Sequence, residues 1–295
     1  MFAAAAAPIL FVLIWSTGFI AARAVIPHAD PQLFTMIRMG LVALVLGGAA
    51  LVAREQWPRG RRLALHLVTG AMMPGLYLCA SWWAVKHGMP AGIMSLLGAL
   101  QSLLIAFLSF ALFRERLPVR GWAGLAIGLA GVALVLLPAL EHGVRGVNPF
   151  VAGIALLAVL MMSGGTMIQH RHLATDPLRS GIAVQNAGGM LIAIVATLWL
   201  GSTRWDGSAM LWGGLLWSVL GLSVAALSLL SWMIRHQGAT RVGVLLLLVP
   251  ALAAIEAWWL FGERLVAIQI AGFVLALAGV LLARGKPAET IPEPA

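Results

Sequence analysis

Two charged residues stand inside stretches that are otherwise apolar, and they are the first candidates for chemistry. Arg38 lies in an apolar stretch over about residues 33–53, and Glu256 lies in one over about residues 240–261. A charge in the hydrocarbon core of a bilayer costs a few kcal/mol, so such residues commonly serve an ion or substrate path. One interpretation is that Arg38 and Glu256 neutralise one another at a periplasmic gate. The alternative is that Arg38 extends to the interface while Glu256 makes a packing contact.

A second group of candidates lies near the middle of apolar stretches. Tyr77 and Ser81 are four residues apart and share a helix face. Gln101 carries an amide that lipid cannot satisfy, and Pro250 frees a backbone carbonyl one turn earlier. We expect this group to line a binding site, with bonding between neighbouring helices as the alternative. Its members are Trp15, Tyr77, Ser81, Gln101, Met161, Ser163, Trp217 and Pro250.

Signatures of enzymes are absent from the sequence. It has no HExxH, no GxSxG, no phosphate-binding glycine loop and no paired cysteines, and Cys79 is the only cysteine. One cysteine makes neither an intramolecular disulfide nor a zinc site. The sequence therefore predicts a protein that is not an enzyme and needs no metal or cofactor.

Composition defines the elements that must position these residues. The chain is 61% hydrophobic and 10% charged, which is typical of an all-α polytopic membrane protein. Its net charge of +9 comes from short loops between apolar runs, so we expect no nucleic-acid partner. No Lys or Arg precedes the first apolar run, which favours a retained first helix over a cleaved leader.

A helix that crosses a hydrocarbon core of about 30 Å needs about 20 residues. Apolar runs between charged or Gly/Pro breaks predict ten such spans. They cover about residues 3–22, 33–53, 63–85, 91–113, 119–137, 149–169, 178–200, 209–234, 240–261 and 265–284.

Basic residues in the loops predict the direction of these spans. Thirteen fall on one side of the alternation and five on the other, which by the positive-inside rule places both termini in the cytoplasm. The thirteen are Arg54, Arg59, Arg61, Arg62, Arg114, Arg116, Arg120, Arg171, Arg179, Arg235, Arg241, Arg284 and Lys286; the five are Arg23, Lys86, Arg145, Arg204 and Arg264.

The sequence also repeats itself at an offset of 148 residues. Residues 113–134 and 261–282 are identical at eleven of 22 positions, and Glu115 corresponds to Glu263. Five spans in each copy is an odd number, so the copies must be inverted, as in many transporters. We expect repeats over 1–148 and 149–285 around a central cavity, and a disordered cytoplasmic tail over 286–295. The equivalent glutamates should cap helices at opposite faces.

These motifs resemble a known family. The segments LFRERLPVRGWAGLAIGLAGVALVL and LFGERLVAIQIAGFVLALAGVLLA resemble the EamA repeat of the drug/metabolite transporter superfamily, and IWSTGFIAARAVI with Arg38 resembles its opening helices. The resemblance implies ten helices, cytoplasmic termini and efflux of small metabolites. The overall pattern looks most like bacterial inner-membrane exporters of amino acids, aromatic ones included.

The functional prediction is therefore an inner-membrane exporter of amino acids that works by alternating access. Aromatic and other apolar amino acids are favoured as substrates. Efflux of other small metabolites or lipophilic cations remains open, as does a membrane scaffold without transport. Gly124 and Gly128 form a GxxxG motif whose partner lies either in this chain or in a dimer, so a monomer or a weak dimer is expected.

Overall fold

The computed structural model describes residues 2–114, 118–141, 149–237, 245–246 and 248–283. Glu115 and the tail over 286–295 lie outside the described residues. The helices are α1 (Phe2–Val25), α2 (Pro31–Val52), α3 (Gly60–Gly70, Ala71–Tyr77 and Leu78–Lys86), α4 (Ala91–Ala99 and Gln101–Phe113), α5 (Val119–Glu141), α6 (Pro149–His172), α7 (Leu178–Leu200), α8 (Ala209–Leu216, Trp217–Ala225 and Ala226–Gln237), α9 (Leu248–Phe261) and α10 (Ala267–Ala283).

Eight helices of the described chain, α1 to α8, are long and apolar enough to cross a membrane. The all-α polytopic class predicted from composition is thus confirmed. The last two apolar helices are shorter, with 14 residues in α9 and 17 in α10. Part of the stretch predicted as the ninth span, over 240–244 and at 247, lies outside the described residues, so the full set of ten spans stays a prediction.

Two of the long helices contain a wide-turned segment in mid-span. Residues Ala71–Tyr77 of α3 and Trp217–Ala225 of α8 are π-helical. In α3 the cause is Pro74, which lacks an N–H and cannot complete the normal ladder. In α8 the hydroxyl of Ser223 donates to the carbonyl of Ser218, five residues earlier, at 3.0 Å. The offset of 148 carries 71–77 onto 219–225, so the two segments occupy equivalent places.

Helices α2 and α7 pack side by side in opposite directions. The start of α2 is tied to the chain that follows α7, where the backbone N–H of Asp30 donates to the carbonyl of Arg204 at 2.9 Å. Lys86 and Ser202 donate to the Asp30 carboxylate at 2.9 and 3.3 Å. Arg204 itself donates to the carbonyls of Ile26 and Ala29. We call this set the α2-start latch.

The other end of the pair is tied in the same way. Glu55, which follows α2, accepts from the backbone N–H groups of Arg179 and Ser180 at 3.1 and 3.0 Å. Asp176, which precedes α7, is buried and bonds Arg62 and His66 of α3. We call this set the α7-start latch. Because each latch joins the start of one helix to the chain after the other, α2 and α7 are antiparallel.

Helices α5 and α10 also run antiparallel, with glycine facing glycine. A Cβ added at Gly124 would lie 2.6 Å from the carbonyl oxygen of Gly279, and one at Gly131 would lie 2.6 Å from that of Gly272. A Cβ at Gly128 would collide with Leu103. The GxxxG motif therefore packs within the chain, which resolves the choice left open between an internal partner and a dimer.

The third antiparallel pair joins α4 to α9. Every residue from Ala91 to Leu97 is buried, so the first part of α4 lies at the centre of the bundle. Gly92 approaches Ala254 of α9, and Glu263, just after α9, accepts from the N–H groups of Ala91 and Gly92 at the start of α4. Burial raises the pKa of Glu263, although the two amides and Arg23 oppose the shift. The glutamate of the second copy thus caps a helix.

Candidate functional site

The two π-helical segments bring polar groups together with Arg38 of α2. The guanidinium Nη2 of Arg38 donates to the hydroxyl oxygen of Ser223 in α8 at 3.3 Å. Tyr77, at the end of the π-helical segment of α3, is close enough for an electrostatic interaction with Arg38. We call Arg38, Tyr77 and Ser223 the arginine cluster. An open π turn displaces side chains from the register of an α-helix, which is why such turns occur often at functional sites.

Aromatic and small residues surround the tyrosine. The ring of Phe19 from α1 meets Tyr77 edge to face, with centroids 6.4 Å apart. A Cβ at Gly98 of α4 would lie 3.5 Å from the tyrosine hydroxyl, which is ordinary van der Waals contact, so the phenol reaches the surface of α4. Tyr77 therefore joins α1, α3 and α4 around the arginine cluster.

Gln101 belongs to a second polar group, the glutamine cluster, made with Thr166 and Met73. Its Nε2 donates to Thr166 Oγ1 of α6 at 2.6 Å, and that hydroxyl in turn lies 3.9 Å from the sulfur of Met73 in α3. The amide thus points inward, as an unsatisfied group in an apolar helix must. The cluster ties α3, α4 and α6 together beside the π-helical segment of α3.

Glu256 binds Ser16 of α1, whose hydroxyl donates to Oε1 at 2.7 Å. The other carboxylate oxygen, Oε2, is buried and has no hydrogen-bond partner in the described part of the chain. The predicted ion pair between Arg38 and Glu256 is not formed. Arg38 faces α8 and α3, whereas Glu256 faces α1, because their helices are not neighbours in the packing of the described residues.

The structure distributes the other predicted binding residues differently. Ser81 and Ser163 are fully buried and donate to their own helices, at Leu78 O (3.2 Å) and Val159 O (2.8 Å). These two hydroxyls do not join the clusters, since a serine inside an apolar helix can satisfy its donor one turn back.

The tryptophans and the last two candidates lie in yet other surroundings. Trp15 packs on Phe11, with ring centroids 5.3 Å apart, against α8 and α9. Trp217, in the π-helical segment of α8, donates from Nε1 to Thr17 of α1 at 2.8 Å. Pro250 is buried in the first turn of α9, and Met161 is half-buried in α6.

Sequence reasoning missed the small hydroxyl partners Ser16, Thr166 and Ser223. Serine and threonine are common in apolar helices and often bond only their own backbone. Nothing in the residue type therefore separates these three from Ser81 or Ser163. For Ser223 the sequence offered one signal, which is its position in the repeat. At the offset of 148 it corresponds to Gly75, which lies in the proline-containing turn of α3.

Comparison with known proteins places the chain in a family. The model of the EamA-like transporter family matches twice, over residues 2–137 and 150–285. The chain belongs to this family and is a multi-pass membrane transporter rather than an enzyme. A solved crystal structure shares the fold, with a TM-score of 0.65 at 21% identity over 96% of this chain and 97% of the other.

Three relatives are similar over nearly their whole length. A probable amino-acid metabolite efflux pump of Salmonella typhimurium is 28% identical, covering 93% of this chain and 92% of its own. A protein of the same description from Escherichia coli is 26% identical with the same coverage. A probable terminal-alkyne amino-acid exporter of Streptantibioticus cattleyicolor is 26% identical, covering 93% of this chain and 91% of its own.

Proposed function

We propose that the protein exports amino acids across a bacterial inner membrane by alternating access, through ten helices arranged as two inverted five-helix halves with both termini in the cytoplasm. The observation that carries the architecture is that α2·α7, α4·α9 and α5·α10 each join equivalent helices of the two halves and run antiparallel. Parallel copies of a five-helix unit would not produce such pairs.

Inverted halves favour alternating access for a physical reason. The two halves have the same packing options but face opposite sides of the membrane, so exchanging their roles turns an opening on one side into an opening on the other. Other contacts support this equivalence. Helix α3 packs on α6 as α8 packs on α1, and α3 packs on α7 as α8 packs on α2.

Amino acids as substrates are supported by the descriptions of three relatives and by the polar groups in mid-span. Arg38, Tyr77, Gln101 and Glu256 are few among apolar and aromatic side chains, a combination that suits a small zwitterion with an apolar side chain. The half-satisfied carboxylate of Glu256 can hold a proton or an ammonium group, so it is also the natural residue for coupling to a proton gradient.

Reconstitution tests this function directly. Liposomes that contain the purified protein and are loaded with a panel of labelled amino acids should release phenylalanine and leucine faster than loaded liposomes without protein. A proton-coupled exporter should respond to an imposed pH gradient, and Glu256→Gln should abolish that response. If no amino acid leaves faster than from protein-free vesicles, export of amino acids is the wrong function.

A second candidate substrate class is lipophilic cations. The observation that favours it is the same buried carboxylate oxygen of Glu256, which would attract a cation that lacks a carboxylate. Tetraphenylphosphonium in the same liposomes distinguishes the classes, because a cation exporter should release it while retaining phenylalanine.

A further inference from the structure

Arg38 is a buried cation for which the described part of the chain provides no acidic partner. Only 9% of the residue is exposed. The six acidic side chains that the structure describes are all engaged elsewhere: Asp30 with Lys86, Glu55 with Arg179, Asp176 with Arg62, Asp206 with His28, Glu256 with Ser16 and Glu263 with Arg23. Within the described part of the chain, the guanidinium is therefore left without a neutralising charge.

An isolated charge at this depth is unfavourable unless something compensates it. Arg38 lies seven residues into α2, which places its Cα about 10 Å from the start of the helix. The guanidinium has five N–H donors, and Ser223 accepts from one of its nitrogens. Neutral hydroxyls satisfy hydrogen bonds, but they do not neutralise the charge.

A hydrogen bond within α8 fixes the orientation of the Ser223 hydroxyl, so that its oxygen accepts from Arg38. Its hydroxyl proton is donated to the carbonyl of Ser218, five residues earlier, so the oxygen is free to accept from the guanidinium. The π-helical turn of α8 thereby holds one edge of the guanidinium. Tyr77, at the end of the π-helical turn of α3, interacts electrostatically with the same charge.

We propose that Arg38 binds the carboxylate of the exported substrate, held in place by Ser223 and assisted by the hydroxyl of Tyr77. The planar guanidinium offers two parallel N–H groups to one carboxylate, which is the geometry this side chain forms best. The inference rests on the proposed function and narrows it. The favoured substrate carries a free carboxylate, and an amine or amide of the same shape binds more weakly.

The test compares one substrate with its analogues that lack the carboxylate. Transport of labelled L-phenylalanine into or out of liposomes is measured with unlabelled phenylalanine, phenylalaninamide or phenethylamine as competitor. Wild-type protein should be inhibited by phenylalanine at a concentration about 10- to 100-fold lower than by either analogue, since a charge-assisted pair is lost with the carboxylate. Arg38→Gln should remove this preference, and Arg38→Lys should restore part of it.

A second measurement, of thermal stability, is the control for correct folding of the variants. Because the charge of Arg38 is unpaired, Arg38→Gln should melt in detergent at a temperature no lower than that of wild type, whereas loss of a structural ion pair would lower it. Phenylalanine should raise the melting temperature of wild type but not of Arg38→Gln. Ser223→Ala, which frees the guanidinium but keeps the charge, should weaken this stabilisation without abolishing it.

These experiments distinguish failure of the inference about Arg38 from failure of the proposed export function. If wild type exports phenylalanine and Arg38→Gln does so with the same preference over phenethylamine, carboxylate binding by Arg38 is wrong while amino-acid export stands. If wild type neither releases nor is stabilised by any amino acid, both the inference and the proposed function are wrong.

Discussion

At the start of α2, one buried carboxylate connects three parts of the chain. Asp30 accepts from the N–H groups of Gln32 and Leu33, which are the free donors of the first helical turn, and also from Lys86 and Ser202. Burial alone would raise the pKa of Asp30. The hydrogen bond and charge of Lys86, together with the two backbone amides, outweigh burial and hold the pKa below its ordinary value of 3.8.

This lowered pKa makes a prediction about stability and pH. The ionised carboxylate stabilises the fold above the ordinary pKa, and that contribution is lost as pH falls through the lower pKa of the folded protein. Asp30→Asn keeps an acceptor for the helix cap but has no charge for Lys86. We expect it to melt below wild type at pH 7, and the gap should close as pH falls below the ordinary pKa of 3.8 and on through the lower pKa of the folded protein.

Two variants control this measurement in detergent. Asp30→Ala also loses the cap and should be less stable than Asp30→Asn by about 1 kcal/mol. Asp206→Asn removes an exposed carboxylate whose pKa is lowered to about 2 by the amide of Ser208 and by His28, and it should change the melting temperature little. A gap between wild type and Asp30→Asn that does not narrow at any pH below 3.8 would contradict the assignment.

At this scale the sequence predicts which residues are unusual but not which groups they meet. Arg38, Gln101 and Glu256 stand out because a charge or amide in an apolar helix needs a partner. Opposite charges in two apolar stretches then predict that Arg38 and Glu256 pair with one another. The actual partners are Ser223, Thr166 and Ser16, which depend on how three or four helices face one another and not on any local pattern.

At the scale of the helices, the glycines of α5 and α10 set how closely the two halves meet. A Cβ at Gly131 would overlap the backbone N of Ala276 and press on the carbonyl of Gly272. Backbone cannot move aside as a long side chain can, so Gly131→Ala should force the helices apart and destabilise the protein by about 1–3 kcal/mol. Thermal unfolding of the purified protein in detergent measures this loss.

Gly153 of α6 is the matched control. A Cβ added there meets nothing within 4 Å. Gly153→Ala should leave stability unchanged or raise it by about 0.5–1 kcal/mol, because alanine is the better helix former. Equal melting temperatures for the two variants would show that α5 and α10 do not pack as described.

The bounds of the helices can be predicted from the sequence, but the π-helical segments within them cannot all be predicted. Long apolar runs place α1 to α8 within a few residues, because the length and hydropathy of a span are properties of the local sequence. The π-helical segments are different. Pro74 marks the one in α3, but the segment in α8 has no proline, and its turn depends on Ser223 and on packing against α2.

For the molecule as a whole, duplication and loop charges together predict two halves with opposite direction. The contacts add one point that the sequence could not supply: several pairs of helices that correspond in the repeat are direct neighbours. Among the described residues, α2 packs on α7, α5 packs on α10 and the first part of α4 packs on α9, and the latches connect both ends of α2·α7. Neighbour relations of this kind come from packing, and the repeat pattern carries no information on them.

Cysteine labelling in cells tests the proposed arrangement across the membrane. Cys79 is buried and is the only cysteine, so Cys79→Ser gives a background free of thiols. Thr203→Cys then places a thiol in the exposed chain after α7, and Gln56→Cys places one in the exposed chain after α2. Because α2 and α7 are antiparallel, these two thiols lie at opposite ends of the helix pair.

An impermeant maleimide added to intact cells should label Thr203→Cys and spare Gln56→Cys, because the excess of basic residues around Arg54 and Arg62 predicts that this end faces the cytoplasm. Permeabilised cells should label both, which controls for accessibility. The pattern separates the two parts of the proposal. Reversed labelling would invert the orientation while preserving the antiparallel halves, and labelling of both thiols in intact cells would mean that α2 and α7 do not cross the membrane as a pair.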